Sequence, residues 1–208
     1  MIKLKAISFR IKARVGFTLI ELIVSISIFA TISGVMVANL RQGRMRDELT
    51  FGATNLVEAI RDANNRTISG ELAPVCFGGP NDGDICPPFG CGSGAACMDI
   101  LPTGGFGVFV SAADASQYDL FADLDGDLAY ENGELIKRLK YINSGNVILK
   151  NVSPANPTLT IAFRPPKPTA YINGGVANSY ADIVLGHKFS DNAKTVRFER
   201  ISGAVGIK

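Results

Sequence analysis

One histidine, His187, serves the whole 208-residue chain, and four cysteines, Cys76, Cys86, Cys91 and Cys97, are its only thiols. A lone imidazole leaves few routes to general-base chemistry. No nucleophile motif and no phosphate-binding glycine loop stands out, so an enzyme is not expected. Charge is also scarce: only 19% of residues are Asp, Glu, Lys or Arg, against 47% hydrophobic. That surplus of apolar side chains exceeds the needs of a soluble core of this size and must be placed elsewhere.

Its distribution shows where. Residues 1–16 contain Lys3, Lys5, Arg10, Lys12 and Arg14 and no acid, and the next 24, Phe17 to Leu40, hold Glu21 as their only charge. A helix of that length spans roughly 36 Å, more than the hydrocarbon core of a bilayer, about 30 Å. The run is too long for the apolar region of an ordinary secretory signal peptide, about 7 to 15 residues. The cationic flank is expected to stay cytoplasmic, which sends everything after Leu40 to the other side. Without the leader's five cations the chain keeps 16 basic against 19 acidic residues, about −3, so it lacks a general nucleic-acid footprint.

A plain anchor accounts for the length and the flank but not for Glu21, because an intramembrane carboxylate needs a functional reason and a partner. The stretch Arg14-Val15-Gly16-Phe17-Thr18-Leu19-Ile20-Glu21-Leu22-Ile23 resembles the type III signal of type IV prepilins and type II secretion pseudopilins. The resemblance implies cleavage by prepilin peptidase between Gly16 and Phe17, N-methylation of Phe17, and use of Glu21 in assembly. It implies as partners other pilin or pseudopilin subunits, the peptidase and an inner-membrane assembly platform. The chain would sit in the bacterial inner membrane as a single pass with its N-terminus cytoplasmic, and later in a pilus or pseudopilus. A cationic amine on Phe17 of one subunit is a sensible partner for Glu21 of the next, since pairing offsets the desolvation of both.

No proline interrupts Phe17 to Ser69, and beyond the apolar run Met45, Leu49, Ala53, Leu56, Ile60 and Ala63 recur every three or four residues. That is one buried stripe on a helix, expected from about Thr18 to Ile68 and stopped by Ser69-Gly70. Gly34, Gly43 and Gly52 are weak points, each costing about 1 kcal/mol against alanine. The organisation expected is therefore a cleaved leader (1–16), a long helix (17–69, with 17–40 in the membrane) and a head (70–208).

The head is glycine-rich, with short β-type runs at 107–110, 118–122, 135–142, 146–152, 159–163, 180–185, 195–200 and 204–207. An antiparallel β head on the helix stripe, α+β in class, follows from that texture. Phe198 to Ile207 reads as a terminal hairpin turning at Ser202-Gly203. With Gly105 to Phe109 and the aspartate loop after Phe121, this order looks like the H-type minor pseudopilins and T-type fimbrial minor pilins. Such a resemblance implies a low-copy subunit that starts or caps a filament.

Two clusters in the head carry chemistry. Asp123, Asp125, Asp127, Glu131 and Glu134 occupy positions 1, 3, 5, 9 and 12 of a twelve-residue loop, the spacing with which an EF-hand surrounds calcium. Leu128 stands where that loop demands glycine and the flanks read as strands, so an acidic solvated turn competes with an EF-like calcium loop on another scaffold. Cys76, Cys86, Cys91 and Cys97 enclose six glycines and three prolines, a segment that can hardly build its own core. Two disulfides in any of three connectivities are expected; zinc is the alternative, though the spacings of nine, four and five lack C-x-x-C knuckles and no histidine is near.

The last 21 residues add Lys188, Lys194, Arg197, Arg200 and Lys208 against Asp191 and Glu199. This is a mild patch that allows a DNA-uptake role, with a solvated strand face as the plainer reading. A membrane-tethered calcium-binding or adhesive module is the remaining alternative. Mass spectrometry of the membrane-extracted protein is expected to show a mature chain that starts at Phe17 with a methylated amine; a chain that still starts at Met1 refutes the processing signal.

Overall fold

A computed structural model describes residues 16–87, 90–154 and 157–208; the basic leader, apart from Gly16, lies outside them. Two compact units divide at Gly43. In the first, every described side chain from Phe17 to Val37 is exposed, as suits a segment whose partners are lipid or other chains. The secondary structure opens with one α-helix, α1 (Leu19–Ser69, 51 residues), within one residue of the expected start and end.

Eleven strands follow among the described residues: β1 (Ala73–Phe77), β2 (Ala96–Ile100), β3 (Gly105–Ser111), β4 (Gln117–Asp123), β5 (Leu135–Lys140), β6 (Val147–Ser153), β7 (Thr158–Arg164), β8 (Thr169–Ile172), β9 (Tyr180–His187), β10 (Ala193–Glu199) and β11 (Val205–Ile207). They form antiparallel sheets of order β1-β2, β11-β10-β9-β6 and β5-β4-β3-β7-β8. The class is α+β, a long helix packed against antiparallel sheets. Each of the eight expected runs holds a strand, although 135–142 overruns the end of β5 by two residues. Three more were not anticipated: β1 and β2, which frame the cysteine segment expected as a loop, and β8, which follows Pro165, Pro166 and Pro168.

Alternation fixes which face each strand buries. Phe106, Val108 and Val110 of β3, Leu159, Ile161 and Phe163 of β7, Ala181, Ile183 and Leu185 of β9, and Val196 and Phe198 of β10 all join one core. The helix contributes Leu49, Ala53, Leu56, Ile60 and Ala63 to it, each at most 1% exposed; Met45 is only half-buried. Phe163 and Phe198 meet edge-on at 5.7 Å, joining the two larger sheets.

Gly52 is better described as a contact than as a weak point. A Cβ there would stand 3.1 Å from Val147 Cγ1 and 3.4 Å from Tyr141 Cβ, so the missing side chain lets α1 lie close to β6. At the helix's far end Thr67 is sewn into the sheet. Its hydroxyl lies 3.0 Å from the Ala63 carbonyl and 3.1 Å from the Phe163 carbonyl, and it accepts from the Phe106 N–H at 3.1 Å.

The five-stranded sheet also has a second, smaller apolar face. Phe121, Leu128 and Ala162 are buried there against Phe109, Tyr130 and Tyr171, with Phe109 stacked on Tyr130 at 4.6 Å. Leu128 and Tyr130 belong to the loop between β4 and β5, so the acidic turn is clamped onto the sheet by its apolar residues. Leu56→Ala is expected to lower the stability of the processed chain in detergent by about 2–5 kcal/mol, and Phe51→Ala, at an exposed position on the same helix, by less than about 0.5 kcal/mol. Urea unfolding followed by circular dichroism measures both.

Candidate functional site

The helix start is built by a reciprocal pair. The Thr18 N–H donates to Glu21 Oε2 at 3.1 Å and the Thr18 hydroxyl to the same oxygen at 2.9 Å, while Glu21 N–H donates back to the hydroxyl at 3.3 Å. Leu22 N–H reaches the Thr18 carbonyl at 3.2 Å, the first bond of the helix. This is a capping box, Thr18 at the cap and Glu21 three residues on, and it satisfies N–H groups that a helix end otherwise leaves orphaned. Its signature, T-x-x-E before an apolar run, was available in the sequence; the expectation for Glu21 addressed its intermolecular role alone. Gly16 and Phe17 stand before the cap, both exposed, and nothing lies within 4 Å of where a Gly16 Cβ would be.

In the head, the carboxylates of the twelve-residue loop divide. Oxygens of Asp123, Asp125 and Glu134 gather within 4.8 Å of one another; Asp127 and Glu131 lie outside that group. Asp123 is fully buried and Glu134 nearly so. Asp123 accepts from the N–H groups of Gly126 at 2.7 Å and Leu128 at 2.8 Å, and Glu134 from those of Leu124 at 2.8 Å and Glu131 at 3.2 Å. Gly104 makes room for this, since a Cβ at that position would overlap the Asp123 carboxylate. Leu128 takes φ +64°, the left-handed conformation normally left to glycine at that place, and its burial against Phe121 and Ala162 offsets the strain. The flanks are the end of β4 and a short 3-10 turn, Asn132–Glu134, leading into β5, so the scaffold is not that of an EF-hand.

Burial sets the electrostatics of this loop. It raises the Asp123 carboxyl above its ordinary range against the pull of the Gly126 and Leu128 N–H groups, and it pushes Glu134 up to about 7, with the charges of Asp123 and Asp125 adding to the effect. Neither acid has an ion-pair partner among the described residues. Converging hard oxygens short of a counter-charge suit a cation such as calcium, although three carboxylates supply fewer than the six to eight oxygens it takes.

The cysteines are gathered by the β1-β2 hairpin, whose register sets Cys76 opposite Cys97. Cys76 is bonded to Cys91 and Cys86 to Cys97, one of the three connectivities the sequence left open. Their loop docks on the acidic loop through the Ile85 N–H, which donates to the Gly133 carbonyl at 2.7 Å.

His187 is buried on β9, expected as a structural or surface residue. Its Nδ1 accepts from the Phe189 N–H at 3.2 Å, which leaves Nε2 to donate to Glu48 on α1 at 2.9 Å. That bond holds the Glu48 carboxyl below its ordinary range, and Asn146 donates to the same oxygen at 3.3 Å. Of the basic residues near the C-terminus, Arg197 is already engaged, forking onto Asp182 at 2.7 Å and lying 4.4 Å over the Tyr180 ring, and Arg200 donates to the Asn178 carbonyl at 3.0 Å. These contacts reduce the patch available to a polyanion.

A group whose protonated form the fold favours stabilises fully below its unfolded value and loses that contribution as pH rises through the folded one. For Glu134 the window runs from about 4.5 up to about 7. In calcium-free buffer the head is therefore expected to lose stability through this window, and Glu134→Gln to flatten the loss and raise the urea midpoint at about pH 8 relative to the parent. An unchanged profile in the variant refutes the assignment.

Residues 14–37 match the family described as the prokaryotic N-terminal methylation motif. No curated protein and no solved structure matches the chain. That motif is the type IV pilin and pseudopilin signal; it indicates a precursor of that type processed by prepilin peptidase and implies assembly with other pilin-type subunits, and the apolar N-terminal helix is consistent with membrane anchoring before assembly.

Proposed function

We propose that the chain is a minor structural subunit of a type IV pilus or type II secretion pseudopilus, cut between Gly16 and Phe17 and assembled through α1. The observation that carries this is the methylation motif laid over a helix start whose Glu21 caps the helix. Among the described residues a side chain at position 16 would meet nothing within 4 Å, which agrees with a glycine kept for cleavage and not for packing. Cleavage would then leave a cationic Phe17 amine just ahead of the positive end of the helix, an unfavourable place that a carboxylate at position 21 relieves.

The capping role and the assembly role of Glu21 are compatible. One carboxylate oxygen, Oε2, takes both bonds from Thr18, and a carboxylate has about four acceptor positions in all. The other oxygen is left for the methylated amine of a neighbouring subunit, within an apolar surround that strengthens the pair. The low-copy role rests on the resemblance of Gly105 to Phe109, the aspartate loop and the terminal hairpin, in their sequence order, to H-type and T-type minor subunits.

The two roles of Glu21 separate by substitution. Glu21→Gln keeps an oxygen to cap the helix but has no charge, whereas Glu21→Ala loses both. Each variant is expected to insert in the membrane and be cut, and each to fall at least about tenfold in filament incorporation by immunoblot of sheared filaments. Wild-type incorporation of Glu21→Gln would refute neutralisation by this carboxylate, and a copy number equal to that of the filament's principal component would refute the minor role. The rival reading, a membrane-tethered calcium-binding module, draws on the convergence of Asp123, Asp125 and Glu134. A melting temperature that millimolar calcium leaves unmoved removes it.

A further inference from the structure

The cysteine segment brings four soft donors to one point. All four Sγ atoms lie within 4.8 Å of one another, and sulfurs that are not bonded to each other approach to 3.1 Å (Cys91 and Cys97), 3.2 Å (Cys86 and Cys91) and 3.7 Å (Cys76 and Cys86). Two separate staples have no need to share a centre. A tetrahedral zinc ion with Zn–S bonds of about 2.3 Å requires sulfurs about 3.8 Å apart. The cluster therefore has the dimensions of a tetrathiolate cage, and opening the disulfides would require shifts of only about an ångström or two.

Besides the S–S bonds, main-chain pairing gathers the sulfurs. Cys76 sits opposite Cys97 in the β1-β2 register. The Cys76 N–H donates to the Asp84 carbonyl at 2.8 Å, Gly83 N–H to the Cys76 carbonyl at 2.9 Å, and Cys86 N–H to the Pro74 carbonyl at 2.8 Å. Ile85 bridges to Val75 and anchors on Gly133. Cys76, Cys86 and Cys97 are thus positioned by backbone pairing, and Cys91, 3% exposed, is enclosed by the fold.

We propose that this cluster is a redox-gated metal site: oxidised, it holds two disulfides; reduced, it binds one zinc or similar thiophilic divalent ion through Cys76, Cys86, Cys91 and Cys97. A trialkylphosphine carries out the conversion with a simple balance. Each disulfide takes two electrons from phosphorus and two protons, giving two thiols, and the phosphine leaves as its oxide with oxygen from water. Metal binding then displaces the thiol protons, since thiolates are the ligands. Exposed Cys97 provides the side from which reductant and metal enter. Hard oxygens at Asp123, Asp125 and Glu134 do not compete for the same ion, because thiolates select softer cations.

The test uses the full processed chain in detergent, reduced with a trialkylphosphine under argon and titrated with cobalt(II) as an optical substitute for zinc. One cobalt per chain is expected, with thiolate-to-cobalt charge-transfer bands and the visible absorption of a tetrahedral ion, all lost on adding zinc. The untreated, oxidised chain is expected to show no such bands. Cys97→Ser, at the exposed corner, is expected to weaken binding by more than about tenfold and to shift the visible bands toward those of a three-sulfur site. The proposal is overturned if the reduced chain gives no charge-transfer band, if oxidised and reduced chains bind cobalt alike, or if Cys97→Ser binds as the parent does. Either of the last two places the ion elsewhere.

Discussion

A helix that must satisfy two different surroundings governs the rest of the molecule. Its first part is apolar on all sides and carries one carboxylate; its second shows the sheets a single stripe of small and aliphatic residues, Leu49 to Ala63. The stripe is narrow and partly alanine, so α1 and the strands can lie close, and Gly52 extends that closeness to β6. The burial at Leu49, Leu56 and Ile60 joins both larger sheets into one core, and each strand's alternation follows from which side of the helix it must cover.

The same economy explains the back of the five-stranded sheet. With α1 on one face, the other would stand bare over Phe109, Phe121 and Ala162, and the β4–β5 loop covers it with Leu128 and Tyr130. Placing an acidic loop there buries two of its carboxylates, Asp123 and Glu134, which the chain compensates with backbone N–H groups and no ion pair among the described residues. Polar cost is accepted for apolar cover, and the raised values of both acids are its electrostatic trace.

Most of this could be read from residue order where periodicity was long. The helix, its ends and its stripe were legible because a long apolar run passes without a proline into a three-and-four-residue repeat, and the β runs because valine, isoleucine and phenylalanine alternate between turn residues. What stayed hidden depended on pairing at a distance. β1 and β2 lie either side of a glycine-rich stretch that looks like loop, and become strands only because each supplies the other's hydrogen bonds. The choice of Cys76–Cys91 and Cys86–Cys97 is likewise a fact about the hairpin, not about spacing. At Leu128 the local preference is for glycine, and only tertiary burial, which the residue order does not show, lets a leucine hold that conformation. The fork of Arg197 onto Asp182 joins partners on neighbouring strands, invisible until β9 and β10 are set in register.

The threonine near the end of α1 has a mechanical consequence. Thr67 ties the last turns of the helix to β3 and β7 through one oxygen, a short-range, directional linkage set within apolar packing that by itself would let a helix slide or turn. Tension applied along the helix therefore passes directly into the main-chain ladder between two central strands, where neighbouring bonds must yield together in shear. Without that hydroxyl the same pull would fall on the apolar packing and on the polar links nearer the middle of the helix, Glu48 to His187 and Asn55 to the Tyr141 carbonyl.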